Sequence, residues 1–122
     1  IRSVEEALSA GIAAVRSGGR IGDISQAVEQ VANRYGFGIV REYGGHGIGR
    51  EMHEPPRIPN WGPAGRGIKL ETGMTLAIEP MFTIKGSATP VSTWCARPAS
   101  CSSMARASAG TAGPPRETRS SA

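Results

Sequence analysis

The chain predicts an α+β fold: two amphipathic helices packed on an antiparallel sheet, followed by a disordered tail. Three observations carry this prediction. Two apolar stripes of helical period fill the first 36 residues, strand-like runs separated by Gly/Pro stretches follow from Phe37 to Ile84, and the composition changes abruptly after Gly86.

The first helix is expected to open at Ser3-Val4-Glu5-Glu6, a capping-box sequence in which Ser and Glu side chains satisfy free backbone N–H groups. Val4, Leu8, Ile12 and Val15 recur at helical spacing, and Gly18-Gly19 stop the run. A second, looser capping box at Asp23-Ile24-Ser25-Gln26 opens a helix with Ile24, Ala27, Val28, Val31 and Tyr35 on one stripe, ended by Gly36. Two such helices, joined by a short glycine turn, need a third surface to cover their apolar faces.

Sheet is the natural candidate for that surface. Phe37 to Tyr43 reads as a strand that delivers the chain into the segment around His46. From Pro55 to Gly67, four prolines and three glycines predict a long loop without regular structure, and long loops are often functional. Ile68-Lys69-Leu70, a Glu71-Thr72-Gly73 turn and Met74 to Ile84 then read as a hairpin-like return. In that last run Met74, Leu76 and Ile78 share one face, and Thr75, Ala77, Glu79 and Met81 the other.

Residues 87–122 are nearly half Ala and Ser and contain no Leu, Ile, Phe or Tyr, so they offer too little apolar surface to fold. The stretch reads as a disordered tail or, more sharply, as a shifted reading frame of a GC-rich gene. Such frames are rich in Ala, Arg, Pro, Ser and Gly codons. The expected division is therefore a folded domain over 1–86, which the resemblance given below makes a partial catalytic domain, and this tail over 87–122.

Composition narrows the function. The net charge of +4 owes +3 to the tail, where Arg97, Arg106, Arg116 and Arg119 face Glu117 alone, leaving +1 on the first 86 residues. No aromatic-interleaved basic patch accompanies that charge, so nucleic-acid binding is not expected. No apolar run is long enough to cross a bilayer and no targeting signal is visible, so no membrane partner is expected. Cys95 and Cys101 match no zinc spacing and imply no disulfide framework, and a reducing, cytoplasmic setting follows by default. The chain begins Ile1-Arg2-Ser3 without an initiator Met, so residue 1 is expected to lie inside a longer natural protein.

Chemistry concentrates between Tyr43 and Pro56, which holds both histidines of the protein. His46 is flanked by Gly44, Gly45, Gly47 and Gly49, and the missing side chains would let a metal or a substrate backbone approach. His53, seven residues on, would share a helix face with His46, but the glycines and Pro55-Pro56 argue against a helix. In an extended or looped backbone the two are expected to project differently and hold separate roles. Glu79 interrupts the apolar run Leu76-Ala77-Ile78, where a carboxylate is costly to bury unless paired or metal-bound. The plainer alternative places Glu79 on the exposed face of an edge strand. Arg50, Glu51 and Glu54 read as solvated loop charges, and Asn60-Trp61 as a pocket wall or a packing plug.

Taken together, Tyr43 through Gly45-His46-Gly47-Ile48-Gly49, His53, Ile58, Asn60-Trp61, Glu71-Thr72-Gly73-Met74-Thr75 and Ile78-Glu79-Pro80-Met81 resemble the type I methionine aminopeptidases of the pita-bread metallopeptidase family. The resemblance spans residues 1 to about 86. It implies part of a pita-bread fold and a monomeric cytoplasmic hydrolase that removes the initiator Met from nascent polypeptides. It also implies two divalent metal ions (Co, Mn, Fe or Zn) held by two Asp, one His and two Glu. Carried over by position, His46 would be the histidine ligand, and Glu79 a carboxylate ligand and general base. His53 would contact the scissile peptide and help stabilise the tetrahedral intermediate, and Trp61 would join it in binding substrate.

The resemblance also has gaps. The family's two Asp ligands lie upstream of the first helix, Asp23 reads as a helix cap, and Glu117 does not stand in the expected Glu-His-Thr context. With two of five ligands present, the chain by itself is expected to be inactive. An Xaa-Pro peptidase of the same fold and a non-catalytic remnant that binds peptide through the 55–67 loop are the alternatives.

Overall fold

The computed structural model describes residues 1–85 and 103–106. Helix α1 (Arg2–Ala13) and helix α2 (Ile21–Arg34) pack on each other and on two sheets. Strands β1 (Phe37–Ile39) and β5 (Phe82–Ile84) form an antiparallel pair. Strands β2 (Gly44–Ile48), β3 (Glu54–Pro59), β4 (Thr75–Ile78) and β6 (Ser103–Arg106) form a second antiparallel sheet in the order β3-β2-β4-β6.

The helical periodicity holds, displaced by one residue in α1. Ser3, Ala7 and Gly11 are the buried residues, while Val4, Leu8, Ile12 and Val15 flank them and pack partly buried against the core. Small residues sit deepest because the elements approach closely there: a Cβ on Gly11 would lie 3.1 Å from Ile78 Cγ2 and 3.2 Å from Val28 Cγ2. The anticipated Ser3 cap does not form, since the helix starts at Arg2 with Ile1 in the N-cap position, two residues earlier, and no side-chain cap. At α2 the cap forms from inside the first turn: the Asp23 carboxylate accepts from the Arg20 N–H at 2.9 Å. Tyr35 leaves the stripe, lying exposed with its hydroxyl donating to Glu6 at 2.8 Å.

One apolar cluster joins Ile21 and Ile24 of α2 to Ile58, Leu76 and Ile78 of the larger sheet and to Leu70. A second joins Ala7, Val28, Val31 and Ala32 to Phe82. Each fully buried Leu or Ile contributes about 1.5–3 kcal/mol, so the two clusters bind both sheets to one helical layer.

Three expectations about the sheet change. The strand foreseen over 37–43 stops at Ile39, and the chain resumes pairing at Gly44 in a different sheet. The 55–67 stretch is not all loop, because Glu54–Pro59 forms β3. As the outer strand beside β2, it tolerates the missing proline N–H groups. The Ile68–Leu70 segment does not fold back on Met74–Ile84 but pairs with the helix linker. Gly18 N–H donates to Leu70 O at 2.9 Å, Leu70 N–H to Gly19 O at 2.8 Å and Ile21 N–H to Ile68 O at 3.0 Å. The Glu71–Gly73 turn is present, with Gly73 at φ +97°.

Within the tail anticipated to be disordered, Ser103–Arg106 pairs antiparallel with β4. Strand addition uses backbone groups and needs no apolar run. The rest of 87–122, with both cysteines, lies outside the described residues.

Candidate metal centre

The glycines around His46 do a different job from the one anticipated. A Cβ on Gly45 would stand 2.1 Å from Ala77 O, and one on Gly44 2.5 Å from Ile58 O. The space is filled by the backbones of β4 and β3, so these glycines bring three strands close together rather than leaving room for a ligand. His46 pairs with Arg57 on one side and Ala77 on the other, and the β2–β3 register shifts between His46 and Gly47. Such irregularities bend a strand and re-aim a side chain.

The His46 side chain is nearly buried, at 14% exposure. Its Nδ1 lies 2.9 Å from Gly47 O, and because a carbonyl only accepts, Nδ1 carries the proton and donates. Nε2 faces Glu79 Oε1 at 3.5 Å, and in the neutral ring it does so with its lone pair. Glu79 follows directly after β4, which has neighbours on both sides, so it does not stand on an edge strand. Its side chain is 30% exposed and turned toward the imidazole.

A ring nitrogen and a carboxylate oxygen that both accept are satisfied together by a proton or by a shared cation. The hydrogen bond at Nδ1 also matches the way metal-bound histidines are oriented by their second nitrogen. His46 and Glu79 therefore fit as two donors to a divalent ion. They are not a full set: among the described residues, no group of three or more His, Cys, Asp or Glu converges on one point. Asp23 is engaged elsewhere. Its two oxygens accept from Arg20 N–H and from Gly65 N–H at 2.8 Å, and these bonds hold its carboxyl below the ordinary value.

His53 does not project away from His46, as extended spacing had suggested. A loop over 49–53 doubles the chain back between β2 and β3, and the two imidazole centroids stand 4.1 Å apart with the rings tilted by 36°. His53 stays exposed beside the nearly buried His46.

Trp61 lies just beyond β3, 36% exposed, with the Arg41 guanidinium 4.6 Å over its ring. Its neighbour Asn60 is the residue that reaches the site. At 1% exposure, Asn60 donates its Nδ2 to the main-chain carbonyl of Glu79 at 2.7 Å. Sequence reasoning weighed the Asn60-Trp61 pair only as a wall or a plug. An Asn in a Pro/Gly-rich run usually signals a turn, so nothing local marked it as a buried strut.

The chain also resembles known proteins. The model of metallopeptidase family M24 matches residues 1–107. Among curated relatives, methionine aminopeptidase of Clostridium acetobutylicum is 46% identical over 84 residues, 69% of this chain and 34% of that protein. Methionine aminopeptidase 1 of Mycobacterium tuberculosis is 50% identical over 95 residues, covering 73% of this chain and 36% of its own length. The crystal structure of methionine aminopeptidase from Thermotoga maritima superposes with a TM-score of 0.65 at 46% identity, over 67% of this chain and 33% of that one. A dipeptidase from Pyrococcus horikoshii matches at 0.56 and 31% identity, over 70% of this chain and 23% of its own. The chain thus spans about a third of the length of the curated relatives it matches. With the helix pair, the two sheets and the His46–Glu79 pair in place, and a family match over most of its residues, the chain belongs to metallopeptidase family M24.

Proposed function

We propose that this chain carries one part of the active centre of a methionine aminopeptidase, which removes the N-terminal Met from nascent polypeptides. The observation that carries the reading is the His46 Nε2–Glu79 Oε1 approach of 3.5 Å, with Nδ1 already engaged. His46 and Glu79 would hold one side of a centre of two divalent ions (Co, Mn, Fe or Zn), the remaining ligands coming from outside the described residues. When bound, such ions polarise the scissile carbonyl and activate water.

The protein's own groups do the rest. Glu79 takes the proton of the attacking water. Exposed His53 donates a hydrogen bond where charge develops on the scissile peptide, and Trp61 bounds the path of the substrate. The nearly buried His46 donates Nδ1–H to Gly47 O and turns Nε2 toward the centre. The protein acts as a cytoplasmic monomer on polypeptide N-termini. With two donors among the described residues, the 122-residue chain by itself is inactive.

The test is a chimera in which residues 1–85 replace the matched segment of the Thermotoga maritima enzyme. Metal-dependent release of Met from Met-Ala, with Ala-Pro left intact, is the expected result. Cleavage of Ala-Pro instead would move the chain to the Xaa-Pro peptidases. A folded chimera that cleaves neither peptide would leave a non-catalytic role, and Met release by the 122-residue chain alone would overturn the two-donor argument.

A further inference from the structure

Glu54 immediately follows His53, and its position in sequence suggests an ordinary solvated charge. The structure turns its half-buried carboxylate inward, into the loop that carries His53. Oε1 accepts from Glu51 N–H at 2.7 Å. Oε2 lies so close over Gly49 that a Cβ there would stand 2.2 Å from it. Gly49 N–H in turn donates to Glu51 O at 3.2 Å, closing the turn around the carboxylate.

We propose that Glu54 is a positioning residue whose carboxylate braces the 49–53 loop and so holds the His53 ring against His46. The main chain fixes His46 through β2, paired on both sides. His53 has no such ladder. It belongs to a loop whose irregular backbone needs acceptors from side chains. A carboxylate that bonds backwards to residue 51 and rests on residue 49 fixes the peptide between 53 and 54, and with it the direction in which the His53 side chain leaves the chain. An ionised acceptor makes a shorter and stronger bond to N–H than a neutral one. A methyl at residue 49 would occupy the carboxylate's place, so Gly49→Ala displaces the Glu54 side chain without touching His53 itself. The catalytic consequence rests on the reading in which His53 touches the scissile peptide.

The experiment reads ring geometry without substrate, so its failure is separable from failure of the aminopeptidase reading. In the 122-residue chain, the His46–His53 ring-to-ring cross-peak in a nuclear Overhauser spectrum is compared with that of Glu54→Ala, Glu54→Gln and Gly49→Ala. Loss of the cross-peak in Glu54→Ala and in Gly49→Ala, with unchanged helical circular dichroism, and its return in Glu54→Gln, which keeps an acceptor oxygen, is the expected pattern. A cross-peak retained in Glu54→Ala overturns the proposal. Loss of the helical signal in both Glu54→Ala and Gly49→Ala also overturns it, since Glu54 would then be a determinant of the fold as a whole.

Discussion

Asn60 and Glu79 are joined by a hydrogen bond of 2.7 Å, from the Asn60 side-chain amide to the Glu79 main-chain carbonyl, with Asn60 almost wholly buried. Asn60 follows β3 and Glu79 follows β4, two strands separated in the sheet by β2. The bond spans the gap and fixes the backbone from which the Glu79 carboxylate turns toward His46. Asn60→Ala leaves that carbonyl without its donor and opens a void, at a cost of about 2–3 kcal/mol in urea unfolding. In the chimeric enzyme, divalent-ion affinity measured by calorimetric titration should fall by about 10–100-fold, the effect usual for a group that orients a ligand.

His46 and His53 touch one another and are expected to separate functionally. His46→Ala removes a donor, so metal affinity of the chimera should fall by more than the roughly 10–100-fold of an orienting group. His53→Ala should leave metal affinity unchanged and lower Met release by about 10²–10³, the usual effect of deleting one donor at a developing charge. Equal losses of metal binding in both variants would assign both rings to the metal.

Gly45→Ala places a methyl 2.1 Å from the Ala77 carbonyl oxygen, a backbone atom that cannot step aside without moving β4. A destabilisation of about 3 kcal/mol or more is expected, at the upper end for overpacking. Urea midpoints of the wild-type and variant chains measure it. Gly36→Ala, which meets no neighbour but stands at φ +71°, should cost only about 1 kcal/mol.

Acid should loosen the helical layer. The hydrogen bonds from Arg20 and Gly65 hold the Asp23 carboxyl below its ordinary value, and the hydrogen bond from Tyr35 does the same for Glu6. The unfolded chain therefore binds protons that the folded chain refuses. These contributions are fully present above the ordinary carboxylate range, near pH 4, and are lost as pH falls through the depressed folded values. Tyr35 has the opposite sense: its bond to Glu6 raises its value, so its contribution is lost as pH rises past about 10. Thermal unfolding across pH 2–6 should show the acid slope, and Asp23→Ala should flatten it while costing about 1–2 kcal/mol at neutral pH.

Much of the local structure was legible in the residues. The stripes Val4–Val15 and Ile24–Val31 carry a 3.6-residue period that depends on no distant partner, and Leu76 and Ile78 join the buried cluster, although Ala77 between them is buried too. His46 and Glu79 stood out because their neighbours were wrong for an ordinary histidine and an ordinary carboxylate. The prolines at 55, 56 and 59 misled, since proline argues against a strand only when its N–H would be needed, and on β3 it is not.

By itself, then, the sequence determined the two helices, the strand through Leu76-Ala77-Ile78 and the turn at Gly73. Each of these follows from local stereochemistry or from side-chain chemistry. Only the tertiary structure decided that Ile68–Leu70 pairs with the helix linker, that the glycines near His46 admit neighbouring strands, and that His53 folds back onto His46. It also decided that Asn60 braces Glu79. These contacts join residues far apart in the chain or across an irregular loop, where neither period nor composition encodes which backbone group will be the neighbour.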